Sequence, residues 1–325
     1  MNADESRAIG GYFELELPQA GSPLHDGALC FQSSRAAFLA MLRSLRPTAV
    51  WIPWYICDAM IEPLRMAGTP VKRYRLDSDL RVQSVDLAQG EWLVYVNYFG
   101  LCERQVDDVL NRFPRERVVI DNAQALFAQP RDCLATLYSP RKFLGVPDGG
   151  YLITQQPVDM PNSIDHASVQ RCTHLLSRLA QDAEAGYADY AAAEESLKNQ
   201  EPLQMSRLTQ RMLASVDYDA VRARRVANFA FLHQKLQRHN RFRFHHSEGA
   251  VPLCYPYFGA PSGLREALRV QRVYTPGYWP DVETAEGVPE FERDLPASTL
   301  FLPCDQRLTR DDLAPIVQRL LDRLG

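Results

Sequence analysis

Short apolar runs alternate with segments of helical periodicity through the first half of the chain. The apolar runs predict strands at 11–17, 49–52, 71–76, 92–97, 118–120, 134–138 and 151–153. Between them, apolar residues recur at three- and four-residue spacing, which predicts a helix capped by Ser33 or Ser34 and helices at 56–66 and 106–113. This alternation is typical of an α/β fold, with a mostly parallel central sheet flanked by crossover helices.

The second half of the chain has a different pattern. Residues 165–236 are helical and charged, and strand-like runs return only at 251–257 and 300–302. Helices are predicted at 262–268 and 309–324, the latter capped by Thr309. We therefore predict a large domain over 1–235, which includes the helical region, and a smaller α+β domain over 236–325.

Composition narrows the class of protein. A chain of 325 residues with 46% hydrophobic and 23% charged residues is ordinary for a globular enzyme. The net charge of -4 gives no general attraction to nucleic acid or to an anionic membrane. No apolar run approaches the roughly 20 residues of a membrane span, and the polar N-terminus is not a signal peptide. The seven cysteines stand singly, so we expect a reduced, cytoplasmic protein without a disulfide framework or zinc site.

A carboxylate and a lysine follow two predicted strands that should be neighbours. Asp121 ends the β-branched run at 118–120, where open α/β sheets bind ligands. Lys142 lies between the polar turn at Ser139 and a glycine-rich return at Gly149 and Gly150. Pyridoxal phosphate (PLP) chemistry needs such a pair, since a lysine amine forms a Schiff base with the cofactor aldehyde. The carboxylate keeps the pyridinium nitrogen protonated, so that the ring accepts electrons.

The phrases around this pair resemble the DegT/DnrJ/EryC1 family of fold-type-I PLP-dependent sugar aminotransferases. In that family a strand ends in Asp-Ala-Ala-Gln or Asp-Ala-Ala-His, and Ser-x-x-x-Lys-x-Leu-Gly and Gly-Gly follow. Here DNAQ stands at 121–124, SPRKFLG at 139–145 and DGG at 148–150. The resemblance implies that Lys142 holds the cofactor as an internal aldimine and that Asp121 binds its ring nitrogen. It also implies that Gln124 faces the cofactor's hydroxyl or ring edge.

The resemblance extends to a phosphate-binding loop at the start of the first helix. The family has Ser-Gly-Thr-x-Ala-Leu there, and this chain has SSRAAF at 33–38, so Ser34 replaces the glycine and Arg35 the threonine. We expect Ser34, Arg35 and Ser139 to hold the phosphate, with help from the positive end of the helix. The alternative is an ordinary capped helix with a surface arginine.

Aromatic residues near other strand ends are further candidates. The family stacks a flat group on the cofactor ring after its second strand, and Tyr55 or Trp54 takes that place here, with Tyr55 better aligned. Asn97 and Tyr98 match a loop that lies near the cofactor, and the aromatic loop at 273–282 resembles a segment lining the substrate entrance. Each of these residues could equally serve packing or a strand-to-helix turn.

The resemblance implies a homodimeric aminotransferase that moves an amino group from an amino acid to a keto-sugar, with a nucleotide-linked sugar expected, or to a similar keto compound. The family has Asn-Tyr-Arg-Met-Ser in a segment that the partner subunit supplies, whereas PLQMS stands here at 202–206. Two alternatives remain: another PLP reaction such as dehydration, whose branch has His in place of the lysine, and a non-catalytic binding or regulatory protein. The histidines at 233, 239, 245 and 246 indicate a polar surface and no metal site, and the basic run at 222–225 predicts a solvated helix face.

Overall fold

The computed structural model describes residues 9–21, 24–243 and 249–324. Within these ranges, seven strands form one central sheet in the order β1-β7-β6-β5-β4-β2-β3, in which only β7 runs antiparallel to its neighbours. The strands are β1 (Leu29–Phe31), β2 (Ala49–Pro53), β3 (Val71–Tyr74), β4 (Glu91–Val96), β5 (Val118–Asn122), β6 (Ala135–Tyr138) and β7 (Gly150–Ile153). The predicted α/β class with a mostly parallel sheet is confirmed.

Three helices connect the parallel strands and cover the sheet. They are α1 (Ser34–Leu45), α2 (Asp58–Ala67) and α3 (Glu103–Arg112). Ser33 caps α1, because its hydroxyl accepts the Ala36 N–H at 3.2 Å, as the sequence predicts. Gly68 ends α2 with a φ of +67°, the left-handed conformation that favours glycine at this position.

The second half of the chain adds helices and a two-stranded ribbon. The helices are α4 (Ser168–Arg171), α5 (Thr173–Ala180), α6 (Tyr187–Glu195), α7 (Arg207–Ala214), α8 (Tyr218–Leu236), α9 (Leu264–Val270), α10 (Glu290–Ser298) and α11 (Arg310–Leu324). The ribbon pairs β8 (Cys254–Phe258) with β9 (Thr299–Pro303). None of the helices in the described ranges has the length and apolar character needed to cross a bilayer.

Helix α8 joins the two parts of the chain. It packs against β8 and α11, and Asn228 on α8 donates hydrogen bonds to carbonyls of Cys304, Asp305 and Leu308. The helix therefore contacts the C-terminal elements although all but its last residue precede the predicted boundary at 235/236. The division into 1–235 and 236–325 stays a prediction.

Two predicted strand positions are wrong. Residues 11–17 form no strand, and the side chains of Tyr12 and Phe13 are 99% and 94% exposed. An alternating pattern forms a strand only where a neighbouring strand supplies hydrogen bonds, and no strand in the described ranges pairs with residues 11–17. The predicted strand at 251–257 begins only at Cys254, because the Leu253 N–H instead donates to the Phe99 carbonyl at 2.8 Å.

The carboxyl ends of the parallel strands meet at one edge of the sheet. The register pairs Val96 with Asp121 and Asp121 with Leu137, so β4, β5 and β6 end side by side. The loop that carries Lys142 leaves β6 at the same edge. An open α/β sheet binds ligands at this edge, and the candidate site is built there.

Candidate active site

Asp121 is a buried carboxylate with one oxygen in use. It ends β5 and is 5% exposed. Its Oδ1 accepts the Ala123 N–H at 2.8 Å, whereas its Oδ2 makes no hydrogen bond to any described residue. Burial raises the pKa of Asp121, and the positive charge of Lys142 and the Ala123 N–H oppose that rise. The free oxygen of this desolvated carboxylate would gain from a cationic donor.

Lys142 combines a fixed backbone with a free amine. It ends a single 3-10 turn at Pro140–Lys142, between β6 and β7. The next carbonyl, that of Phe143, accepts hydrogen bonds from Arg225 at 3.2 Å and from Gln306 at 2.9 Å. The side chain of Lys142 is exposed, and no described residue pairs with its amine. The amine is therefore available for covalent chemistry.

Two glycines allow the segment after Lys142 to pack closely against the start of α1. A Cβ on Gly150 would lie 2.2 Å from backbone atoms of Ser33 and Ser34, which no side chain tolerates. Gly149 has a φ of +124°, and its N–H donates to the Gln32 carbonyl at 2.7 Å. These glycines bring the N-terminus of α1 beside the loop, so the predicted phosphate-binding residues and Lys142 share one region.

Two serine hydroxyls in this region have no partner in the described chain. Ser34 is the first residue of α1 and is half-buried, and Ser139 is buried at the end of β6. The hydroxyl of each can donate to or accept from a ligand. Both were predicted from the sequence to hold a phosphate, and the structure places them on the two segments that the glycines join.

Arg35 already has a partner. Its guanidinium lies 3.0 Å from a carboxylate oxygen of Glu62, on the neighbouring helix α2. The two side chains are only 15% and 12% exposed. The sequence predicts Arg35 as a phosphate ligand, and the structure pairs it with an acidic residue of its own chain.

Tyr55 is enclosed in an aromatic cluster. It is 0% exposed, stacks on Tyr98 at a centroid distance of 5.7 Å and meets the edge of Trp279 at 4.4 Å. The Tyr98 hydroxyl donates to the Tyr55 carbonyl at 2.7 Å. Tyr278 joins the same cluster through Trp279 and Phe99. The structure thus places the predicted stacking residue, and Tyr278 and Trp279 of the 273–282 loop, in packing contacts.

Gln124 connects the Asp121 strand to the turn after β4. Its Oε1 accepts the Phe99 N–H at 2.8 Å, and its Nε2 is buried without a partner in the described chain. Phe99 has a φ of +60°, a strained conformation that this hydrogen bond helps to hold. Asn97 bonds to Glu103, Asn122 and the Cys102 N–H. Asn97 therefore supports the turn, and Gln124 keeps one donor free.

No protein-family model matches the sequence, and no curated protein matches it. Solved structures match nearly the whole chain. A DegT/DnrJ/EryC1/StrS aminotransferase from Brucella abortus superposes with a TM-score of 0.61 at 14% identity, covering 92% of this chain and 86% of that one. Sugar aminotransferase CalS13 from Micromonospora echinospora gives 0.60 at 16%, covering 90% and 86%. Spr1654 from Streptococcus pneumoniae, in its PLP form, gives 0.61 at 16%, covering 90% and 86%. The chain has fold type I.

The residues of this fold-type-I chain fit PLP. A protonated ring nitrogen needs an acceptor such as Asp121 Oδ2, and the aldehyde needs a free amine such as that of Lys142. The phosphate needs donors, which Ser34 and Ser139 have, and the ring hydroxyl suits the orphaned Nε2 of Gln124. Each of these atoms lacks a partner within the described residues, so the cofactor would satisfy them together.

Several supporting residues of this fold-type-I site were missed or misread in the sequence. Asp148 is buried and accepts hydrogen bonds from Ser206 and Thr209, and its place before Gly149 could have identified it. The basic run at 222–225 was predicted as a solvated face, which is wrong for Arg225: it is 2% exposed and holds the Phe143 carbonyl. No local signal distinguishes it from its neighbours. His245 and His246 lie outside the described residues.

The segment at 202–206 runs beside β1 of its own chain. The Gln32 N–H donates to the Leu203 carbonyl at 3.0 Å, and the Met205 N–H donates to the Cys30 carbonyl at 3.1 Å. Ser206 then caps α7, since its hydroxyl accepts the Thr209 N–H. These contacts fix the segment within the subunit. A contribution to a partner's site stays a prediction.

Proposed function

We propose that this chain is a PLP-dependent aminotransferase that moves an amino group from an amino acid to a keto-sugar. The observation that carries the proposal is the pair formed by Lys142 and Asp121, a free amine and a half-used buried carboxylate at adjacent strand ends. The sugar aminotransferases CalS13 and Spr1654, which have the same fold, support the substrate class. Spr1654, solved in PLP and PMP forms, supports the cofactor.

Bound PLP supplies a ring that withdraws electrons from the carbon bearing the amino group, which weakens the bond to its proton. Asp121 Oδ2 would hold the ring nitrogen in its protonated form. Burial makes this effective, because a carboxylate and a cation attract each other more strongly away from water. The Ala123 N–H fixes the orientation of the carboxylate through Oδ1.

Lys142 has two tasks in this proposal. Its Nζ would hold the cofactor aldehyde covalently, with loss of water, and the amine, when free, would take a proton from one carbon and return it to another. This second task requires a mobile side chain on a fixed backbone. Arg225 and Gln306 hold the Phe143 carbonyl, and the exposed side chain of Lys142 is free to move.

Ser34 and Ser139 would bind the phosphate through their hydroxyls, with Arg35 as a cation beside them. Gln124 would donate its orphaned Nε2 to the ring hydroxyl. We also propose a nucleotide-linked acceptor, a homodimer and a cytoplasmic location, on the basis of the sequence resemblance. The stacking position proposed for Tyr55 requires the contact with Trp279, at 4.4 Å, to open.

The test is a titration of the purified protein with PLP, followed by borohydride reduction and peptide mass mapping. We expect a new absorbance band at a longer wavelength than that of free PLP. After reduction, we expect a pyridoxyl group on Lys142. Lys142→Ala serves as the control, and we expect it to lose both signals. Wild-type protein with no band and no adduct on Lys142 would contradict the proposed function. A positive result leads to a screen of amino donors and keto-sugars.

A further inference from the structure

Arg35, which pairs with Glu62, directly follows Ser34, the residue of α1 that we propose as a phosphate ligand. Arg35 is the second residue of α1, and Gly149 and Gly150 hold the start of α1 against the Lys142 loop. Glu62 Oε2 is 3.0 Å from the guanidinium. Glu62 is the only acidic residue that pairs with Arg35 among the described residues. The cation at this region is therefore already neutralised.

Glu62 is itself held in place from a third segment. Its second oxygen accepts the Asn199 N–H at 2.7 Å, and the Arg65 guanidinium donates to the side-chain oxygen of Asn199. A carboxylate bound at both oxygens has little freedom to turn away. The ion pair is also mostly shielded from water, so it is screened less than a surface pair. The contact is thus a built feature of the α1–α2 interface.

We propose that Glu62 competes with the cofactor phosphate for Arg35 and so limits the affinity of the protein for PLP. This inference rests on the proposed function, because it names a control on the same site. The phosphate and the Glu62 carboxylate carry charge of the same sign and seek the same donors. Binding of the phosphate therefore requires Arg35 to leave or share its present partner.

The sequence difference makes this competition specific to the chain. The resembling family has a threonine at position 35, which offers a hydroxyl and needs no neutralising carboxylate. Arg35 brings a full charge into a half-buried interface, and an unpaired charge there would be costly. Glu62 offsets that charge while the cofactor is absent. The same pairing then opposes the phosphate when the cofactor arrives.

The experiment compares PLP with pyridoxal, which lacks the phosphate, in titrations of the apoprotein. We expect Glu62→Gln to bind PLP about tenfold more tightly than wild type, and pyridoxal unchanged, since one charge-assisted hydrogen bond is worth about that factor. Glutamine keeps an oxygen for the Asn199 N–H. Glu62→Met provides a second variant of similar size, and a thermal melt verifies that each one folds.

Two controls separate competition from other effects. Glu91→Gln removes another carboxylate that pairs with a cation, Lys72, but lies at the opposite end of the strands, and we expect no change in PLP affinity. Glu62→Gln should tighten PLP binding much less when Arg35 is already replaced, so the double variant Arg35→Met with Glu62→Gln should bind PLP about as well as Arg35→Met alone. A gain retained in full without Arg35 would reveal plain charge repulsion and would overturn the competition.

The remaining outcomes distinguish the two proposals. Wild-type protein that forms the Lys142 adduct, with no tighter PLP binding in either Glu62 variant, overturns the competition and leaves the aminotransferase proposal intact. An equal gain for pyridoxal also overturns it, because the effect would not involve the phosphate. Wild-type protein that forms no adduct overturns both proposals.

Discussion

The two halves of the sheet edge differ in how their polar groups are used. At the ends of β5 and β6, Asp121 Oδ2, the Ser139 hydroxyl and the Lys142 amine make no hydrogen bond to a described residue. At the ends of β2 and β4, most polar groups are used within the chain, although the buried Tyr55 hydroxyl has no partner among the described residues. Tyr98 donates to the Tyr55 carbonyl, and Asn97 makes three hydrogen bonds. We call these the open half and the closed half.

The closed half is also fastened from the C-terminal part of the chain. Glu292 on α10 is 0% exposed, and its carboxylate accepts the N–H groups of Tyr55 at 2.8 Å and Leu76 at 3.0 Å. Burial raises the pKa of Glu292, and the backbone N–H groups of Leu76, Tyr55 and Trp54 oppose the rise. The comparison teaches that unused polar groups mark chemistry, whereas satisfied ones mark scaffold.

The largest effect is expected in the open half, for Asp121→Asn. The amide cannot stabilise a protonated ring nitrogen, so we expect transamination to fall by about a hundred- to a thousandfold. The same variant should unfold at a higher temperature as apoprotein, because it removes a desolvated carboxylate and retains an oxygen for the Ala123 N–H. Rates and thermal melts measure the two effects. If Asp121→Asn lost both activity and thermal stability, a purely structural role for Asp121 would explain the result.

The pH dependence of this stability difference has a definite sign. Because burial raises the pKa of Asp121, the folded wild type holds that proton to a higher pH than the unfolded chain. Wild-type stability relative to Asp121→Asn should therefore fall as pH rises from the unfolded pKa through the folded one. Urea unfolding across acidic pH verifies this. Burial also raises the pKa of Asp148, so its pH dependence should have the same sign, but Asp148→Asn should be destabilised because Ser206 and Thr209 donate to its oxygens.

The next effect is expected in the closed half, for Glu292→Leu. At least two buried N–H groups would lose their acceptor, at about 1 to 3 kcal/mol each, so we expect the free energy of unfolding to fall by about 3 kcal/mol. Glu292→Gln keeps one acceptor oxygen and should lose less. Denaturant unfolding of both variants is the measurement. A leucine variant as stable as wild type would show that the hydrogen bonds to Glu292 do not stabilise the turn after β2.

A smaller effect is expected for Ser139→Ala in the open half. The hydroxyl has no partner in the described protein, so its loss should leave the stability of the apoprotein within about 0.5 kcal/mol of wild type. PLP affinity should fall about tenfold, as one hydrogen bond to the phosphate is lost. Pyridoxal affinity should not change. A variant with a lower melting temperature and unchanged PLP affinity would show that Ser139 stabilises the fold and does not bind the phosphate.

The smallest effect is expected for Tyr98→Phe, which removes one hydroxyl from the closed half. The Tyr55 carbonyl would lose its hydrogen bond, at about 1 kcal/mol of stability. PLP affinity should stay at the wild-type value, because the ring of residue 98 still packs on Tyr55. Unfolding and titration together test it. A large change in PLP affinity with no change in stability would show that the closed half also takes part in cofactor binding.

The sequence by itself determined the α/β alternation and the position of the open half. Strand and helix periods are local, and β-branched runs before Asp121 and glycines after Lys142 act over a few residues. Parallel strands with crossover helices place their carboxyl ends at one edge of the sheet, whereas the strand order came only from the structure. For these reasons the positions of Asp121 and Lys142 at one sheet edge could be predicted without coordinates, whereas Ser139 followed from the family resemblance, and the roles of all three stay predictions.

Tertiary structure alone decided the partners of the long side chains. Arg35 contacts a residue 27 positions away, and Tyr55 is fastened by Glu292 from 237 positions away. Arg225 is buried although its neighbours in the same basic run are not, because only its side of α8 faces the Phe143 carbonyl. A local sequence pattern does not determine which distant residue a flexible side chain will contact. The physical reason is that such contacts depend on how distant segments pack against each other.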